Sequence, residues 1–265
     1  RNLTANGYLD HSPALSAAAD GSAMAAWIRN RDLNPTGTPQ EPNRLLFSRR
    51  VGGVWEEEDY VAVNLGTVTY CDLAYNGTEA TLVFSMDADG DLATVDDQEL
   101  YGCTFGGGQW GPYTRLTSNS LQDTRPYVRY DAGGEVLVVW YQEGRIVSAT
   151  GLALADPVEA GEVGIGSGAQ DFKLATGSDG QMAAVWQGAG VEGVAASDPY
   201  ILNYDPDRGL WSHGVRLLED PALERGFSAT FGESGNLILA YSKVAVEEDT
   251  NGVPVFGAAD LCVLD

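Results

Sequence analysis

Residues 87–91 read D-A-D-G-D. Alternating carboxylates on a tight glycine turn aim their oxygens at one point, which is the donor set a hard cation such as Ca²⁺ takes. Asp87, Asp89, Asp91 and Asp96 are therefore the candidate metal ligands, with Asp97 as the alternative to Asp96. The stretch is not the calcium loop of a helix–loop–helix hand, because its sixth position is Leu92 rather than Gly and its twelfth is Gln98 rather than Glu. It reads as a calcium-binding loop between strands, against the plainer reading of an exposed acidic loop. The run Glu247-Glu248-Asp249 reads as a solvated loop.

A second set of acids is dispersed but aligned. Asp10 and Asp123 each open a D-x-x-P element, D-H-S-P at 10–13 and D-T-R-P at 123–126. Aligned on the aromatic that closes the apolar run downstream, Asp10, Asp123 and Glu224 fill one slot. Thr67 and Ala169 stand there in two further copies, the latter with Asp171 two residues on. Carboxylates gathered around one axis could hold a cation or perform acid–base catalysis. The plainer reading is that each caps its own turn through backbone N–H groups. Other chemistry is sparse: His11 and His213 are the only histidines, which leaves no basis for a Ser-His-Asp arrangement, and no phosphate loop or G-x-S-x-G is present.

The elements that would position these residues repeat. Apolar runs end in an aromatic at Trp27, Phe84, Trp140, Trp186 and Tyr241, at spacings of 57, 56, 46 and 55 residues. Just upstream of each run is a turn pair: Asp20-Gly21, Asn76-Gly77, Gly133-Gly134, Asp179-Gly180 or Ser234-Gly235. Such pairs supply the positive φ of tight hairpins. A four-stranded meander of about 50 residues, repeated, is the pattern of a propeller blade. The expectation is an all-β chain with almost no helix: a five-bladed β-propeller of four-stranded antiparallel blades in a single domain over 1–265, with a fragment of a six- to eight-bladed ring as the alternative. The blades fall at roughly 12–64, 68–118, 124–164, 169–218 and 225–265, the last completed by an N-terminal strand from 1–9. The match of R-N-L-T-A-N-G-Y-L-D-H-S-P (1–13) to T-R-L-T-S-N-S-L-Q-D-T-R-P (114–126) motivates that closure. Long charged segments at 29–43, 86–98, 187–198 and 243–257 are expected as loops on one face, where scaffolds carry function. Trp55, Trp110 and Trp211 begin outer strands and read as packing residues.

Composition narrows the partners. Net charge is −23, with 38 acidic against 15 basic residues, so a phosphate backbone would be repelled and nucleic-acid binding is excluded. No window approaches the length of a membrane span. The first residue is Arg1, as expected of a processed product or an excised domain. Cys71, Cys103 and Cys262 are an odd, widely spaced set and read as small apolar residues, not as a disulfide framework or zinc site. Asn2 and Asn76 begin N-x-T sequons.

The repeats resemble those of bacterial extracellular β-propellers, including the sialidase-like class. The nearest text to the sialidase box is A-A-A-D-G-S-A-M-A-A-W (17–27), with Asp20 in a turn. Five-bladed glycosidases that cleave arabinans and fructans are similar in architecture, and that resemblance implies three carboxylates around a central funnel, in the positions of Asp10, Asp123 and Glu224. Two functions follow. The first is a non-catalytic binding or scaffold module, extracellular or cell-surface and part of a larger surface protein, which presents an acidic, calcium-ordered loop face to a protein or glycan. The alternative is a glycoside hydrolase or lyase with its carboxylates at the channel mouth.

Overall fold

A computed structural model describes residues 2–38, 40–63, 65–87, 89, 91, 93–94, 96–131, 133–154, 158–160, 172–177, 180–189, 197–218, 222–251 and 253–264. The described residues form strands and turns, with no helix among them. The chain divides into two compact units, 1–143 with 147–157 and 144–146 with 158–265.

The first unit is built from consecutive antiparallel hairpins. β1 (Leu9–Ala17), β2 (Ala23–Asn30) and β3 (Arg44–Val51) pair in order, with short strands β4 (Val54–Trp55) and β5 (Asp59–Ala62) on β3. The pattern recurs in β6 (Thr67–Tyr75), β7 (Ala80–Asp87), β8 (Gln98–Gly106), β9 (Gln109–Trp110) and β10 (Thr114–Arg115). It starts again with β11 (Asp123–Tyr130), β12 (Val136–Gln142) and β13 (Arg145–Thr150). The second unit contains β14 (Val158–Ala160), β15 (Lys173–Thr176), β16 (Met182–Ala189), β17 (Ser197–Asp205), β18 (Leu210–Trp211) and β19 (Val215–Arg216). It ends with β20 (Leu223–Phe231), β21 (Leu237–Glu248) and β22 (Pro254–Leu264). A single parallel bridge, Ser197 to Leu223, joins these last three strands to β15–β19 in one sheet.

Local chemistry explains the hairpins. In all five turns the second residue is a glycine in the left-handed region: Gly21, Gly77, Gly134, Gly180 and Gly235, with φ from 81° to 109°. The second strands β2 and β7 carry apolar residues on both faces because both faces are covered: every residue of the two is buried. The closing aromatics are core residues, Phe84, Trp140 and Trp186 being almost wholly buried. Trp110 meets Phe47 and Phe105 edge-on at 5.7 and 5.4 Å, the packing role expected of it.

The acidic element proves to be a bend. Register slips between His11 and Ala14, between Thr124 and Tyr127, and between Arg225 and Ser228, so two residues oppose one. The third residue of each element is left-handed: Ser12 at φ 48°, Arg125 at 51° and Gly226 at 68°. These are β-bulges, which bend the strand and increase its twist.

Several expectations need correction. Residues 2–8 contain no strand, so the N-terminal closing strand is absent at the place assigned to it. Local side-chain bonds fold that stretch instead: the Asn6 carbonyl accepts the Tyr8 N–H, and its amide reaches Asp10. Among the described residues β22 pairs only with β21. The outer strands are not continuous but two short pieces, interrupted at 111–113 and 212–214. Residues 243–257 are not a long loop, because β21 runs to Glu248 and β22 starts at Pro254. The run Glu247-Glu248 is thus strand, and Asp249 holds the turn by accepting the N–H groups of Asn251 and Val253. The blade limits at 164 and 169, and Ala169 and Asp171, lie outside the described residues.

Candidate functional site

The three aligned acids occupy one register position, each opposite a polar residue on its own hairpin. Asp10 pairs with Arg29, Asp123 with Gln142 and Glu224 with Lys243. In the β6–β7 hairpin the pair is Thr67 and Asp87, with the carboxylate on the second strand. Asp87 therefore faces the slot residue Thr67 across its hairpin, as well as belonging to the loop motif.

Asp10 and Asp123 share a corner. T-A-N-G-Y-L-D (4–10) and T-S-N-S-L-Q-D (117–123) place a threonine, an asparagine and the acid at matching offsets. Around Asp123, which is fully buried, Trp140 Nε1 and Gln142 Nε2 donate to Oδ1 at 2.7 and 2.8 Å, and Asn119 Nδ2 donates to Oδ2 at 2.7 Å. Burial pushes this carboxyl above the usual range, against the hydrogen bonds of Gln142, Asn119, Trp140 and Thr117. Asp10 retains 17% side-chain exposure and meets Arg29 bidentately, Nε to Oδ1 at 2.6 Å and Nη2 to Oδ2 at 3.0 Å. Burial raises its carboxyl too, but Arg29, with Thr4 and Asn6, outweighs that and holds it below the usual range. Arg29 is itself 4% exposed and also binds Glu58. Glu224, in the second unit, is fully buried, with Lys243 Nζ 3.8 Å from Oε1.

The loop acids converge in part. Asp87, Asp89 and Asp97 each bring an oxygen within 4.8 Å of the others, as a cation would require. Asp91 and Asp96 are exposed and outside this group, and Asp91 Oδ1 instead accepts the Ala93 N–H. Asp97 thus takes the place assigned to Asp96.

A further repeated pair escaped the sequence reading. Glu99, fully buried, accepts Arg115 Nη2 at 2.5 Å and the Asn119 N–H at 3.0 Å through Oε1. In the second unit buried Asp198 meets Arg216 Nε at 2.8 Å. The signal was present as E-L-Y (99–101) and D-P-Y (198–200), each followed downstream by R-L at 115–116 and 216–217. Asn119 binds both Glu99 and Asp123, so two buried carboxylates share one asparagine. His11 is half-buried and desolvation lowers its imidazole, while His213 is exposed. No disulfide is present; Cys103 is buried and its thiol is pushed up to about 12.

No protein-family model and no curated protein sequence matches the chain. Solved structures do. A GH93 α-L-arabinofuranosidase of Fusarium graminearum, in complex with arabinobiose, aligns with TM-score 0.60 at 11% identity over 88% of this chain and 77% of that one. The intramolecular trans-sialidase from Ruminococcus gnavus gives TM-score 0.59 at 10% identity over 100% and 87%. An endo-arabinase from Bacteroides thetaiotaomicron gives 0.52 at 11% over 95% and 92%. The chain is thus similar in fold to β-propeller enzymes of the sialidase and arabinofuranosidase kinds. Among the described residues there is no helix long and apolar enough to cross a membrane.

Proposed function

We propose that this chain is a glycan-acting β-propeller, a glycoside hydrolase in which Asp123 takes the acid role and Asp10 the carboxylate role. The observation that carries this reading is one repeated slot with two opposite environments, buried among neutral donors at Asp123 and paired with a guanidinium at Asp10. Carboxyls driven apart in this way can divide the acid and base roles. The acid protonates the glycosidic oxygen, and the carboxylate attacks the sugar or activates water. Fold likeness to an arabinofuranosidase, an arabinase and a trans-sialidase supports glycans as the ligand class. A hydrolysis screen on arabino- and sialo-oligosaccharides tests it. The expected result is turnover that falls about 10²–10⁴-fold in Asp10→Asn and Asp123→Asn. Turnover equal to that of the parent in both folded variants overturns the assignment. Glu224→Asn, in the second unit, tests the third aligned acid.

A second reading has its own observation. Each aligned acid is held by partners from its own hairpin, as an architectural residue would be. On that reading the chain is a non-catalytic, extracellular module of a larger surface protein that binds a glycan or protein. Glycan binding without turnover in the parent protein selects it. Ca²⁺ ordering of the 87–97 loop, through Asp87, Asp89 and Asp97, is compatible with either reading. A melting temperature raised by CaCl₂ in the parent and unmoved in Asp97→Asn tests it.

A further inference from the structure

Neighbouring strand groups can be compared at their hairpin ends. In the first unit Tyr130, the last residue of β11, meets Thr81 of β7 hydroxyl to hydroxyl at 3.1 Å. Thr81 is 2% exposed, so this bond bridges two strand groups in a nearly dry place. In the second unit the corresponding positions, counted from the closing aromatics, are Phe231 on β20 and Ala183 on β16. Neither has a hydroxyl, so that bridge cannot form. At this end of the second unit lies a cleft of about 400 Å³, within the range of small-ligand sites.

The lining has two kinds of surface. Met182, Tyr204 and Phe231 supply apolar and aromatic faces, while Asn203, Asp205 and Asp207 supply amide and carboxylate groups. Trp211 braces the Tyr204 ring at a centroid distance of 5.2 Å, which fixes one wall before any ligand arrives. Asp205 Oδ1 accepts the N–H groups of Asp207 and Arg208, so the turn bearing both acids is also held. Among the described residues no Lys or Arg lines the cleft. A carboxylated, sulfated or phosphorylated ligand would face two acids without a counter-charge, in a chain of net charge −23.

We infer that this cleft binds a neutral saccharide of about disaccharide size. A pyranose or furanose ring presents C–H faces suited to Tyr204 and Phe231, and a rim of hydroxyls that can both donate to the carboxylates and pair with the Asn203 amide. The site is separate from the Asp10 and Asp123 corners, which belong to the first unit, and the inference does not depend on either of them being catalytic.

Calorimetric titration of the full chain with arabinobiose, maltose and cellobiose tests it, with sialyllactose and spermidine as anionic and cationic controls. At least one neutral disaccharide is expected to bind and sialyllactose is not. Tyr204→Ala and Asn203→Ala are each expected to weaken binding about tenfold or more. Asn203 is exposed, so its variant keeps the readout if Tyr204→Ala fails to fold. Three results overturn the inference: no neutral disaccharide bound by about 10 mM, affinity unchanged in folded Asn203→Ala and Tyr204→Ala, or spermidine bound more tightly than every disaccharide. Hydrolysis is measured on the same variants. Lost binding with no turnover in any protein leaves the cleft standing and removes the hydrolase reading, whereas turnover lost in Asp123→Asn with no cleft binding does the reverse.

Discussion

The corners at Asp10 and Asp123 use the same three residue types at the same offsets, yet their carboxylates differ in state. At residue 142 the cross-strand partner is a neutral amide, and Trp140 adds an indole donor, so Asp123 is solvated only by dipoles. At residue 29 the partner is a guanidinium shared with Glu58, so Asp10 belongs to a charged triad. Deeper burial beside neutral donors at Asp123, and a cation across the strand at Asp10, thus shift two copies of one acid in opposite directions. A bend can be copied around a fold while the electrostatics of each copy is reset by its neighbour.

Substitutions can break this contrast, beginning with the largest effect. Asp123→Ala strands the buried Trp140 indole N–H and takes the acceptor from the Gln142 and Asn119 amides, and a loss of about 3 kcal/mol in urea unfolding is expected. Asp10→Ala leaves Arg29 with Glu58 as a remaining partner, so about 1–2 kcal/mol is expected by the same measurement. A larger loss at Asp10 than at Asp123 would reverse the contrast. The asparagines sharpen it: Asn119→Ala removes a 2.7 Å bond to a buried acid and should cost about 1 kcal/mol, while Asn6→Ala removes a 3.4 Å contact in an exposed segment and should cost under about 0.5 kcal/mol.

The pH dependence is the smallest effect, and its sign differs between the corners. Asp10 is lowered in the folded protein, so its contribution is present above its unfolded pKa and is lost as pH falls through the folded one. Asp123 is raised, so its contribution is full below its unfolded pKa and is lost as pH rises through the folded one. Stability measured against pH should therefore lose part of its acid limb in Asp10→Asn. In Asp123→Asn it should lose part of the decline on the rising side of the carboxylate range. Identical profiles in the two variants would mean that the corners are equivalent.

Strands, hairpin turns and packing aromatics were legible because each depends on local chemistry: a glycine at positive φ, a run buried on both faces, a ring at its end. The shared slot of Asp10, Asp123 and Glu224 was legible for the same reason. Their partners were not, since the pairing of Asp10 with Arg29 depends on a register that a bulge shifts. The pairing of Thr67 with Asp87 was hidden likewise, because alignment on a single strand does not reveal what stands opposite. Asp97 replaced Asp96 for want of any periodic rule in an irregular loop. The N-terminal strand failed because the likeness of 1–13 to 114–126 reflects a hydrogen-bonded corner more than a strand. In the internal copy only Thr114 and Arg115 are strand before that corner.

The left-handed bend at residues 12, 125 and 226 has a consequence for how this chain can vary. Serine, arginine and glycine serve at the same backbone angle, and Arg125 places its guanidinium 4.5 Å above the Tyr70 ring. What is preserved across the three copies is a dihedral angle, and the side chain attached to it is free to diversify. Such a position is a natural point of drift: neighbouring copies can acquire different surface chemistry there while the strand path remains the same.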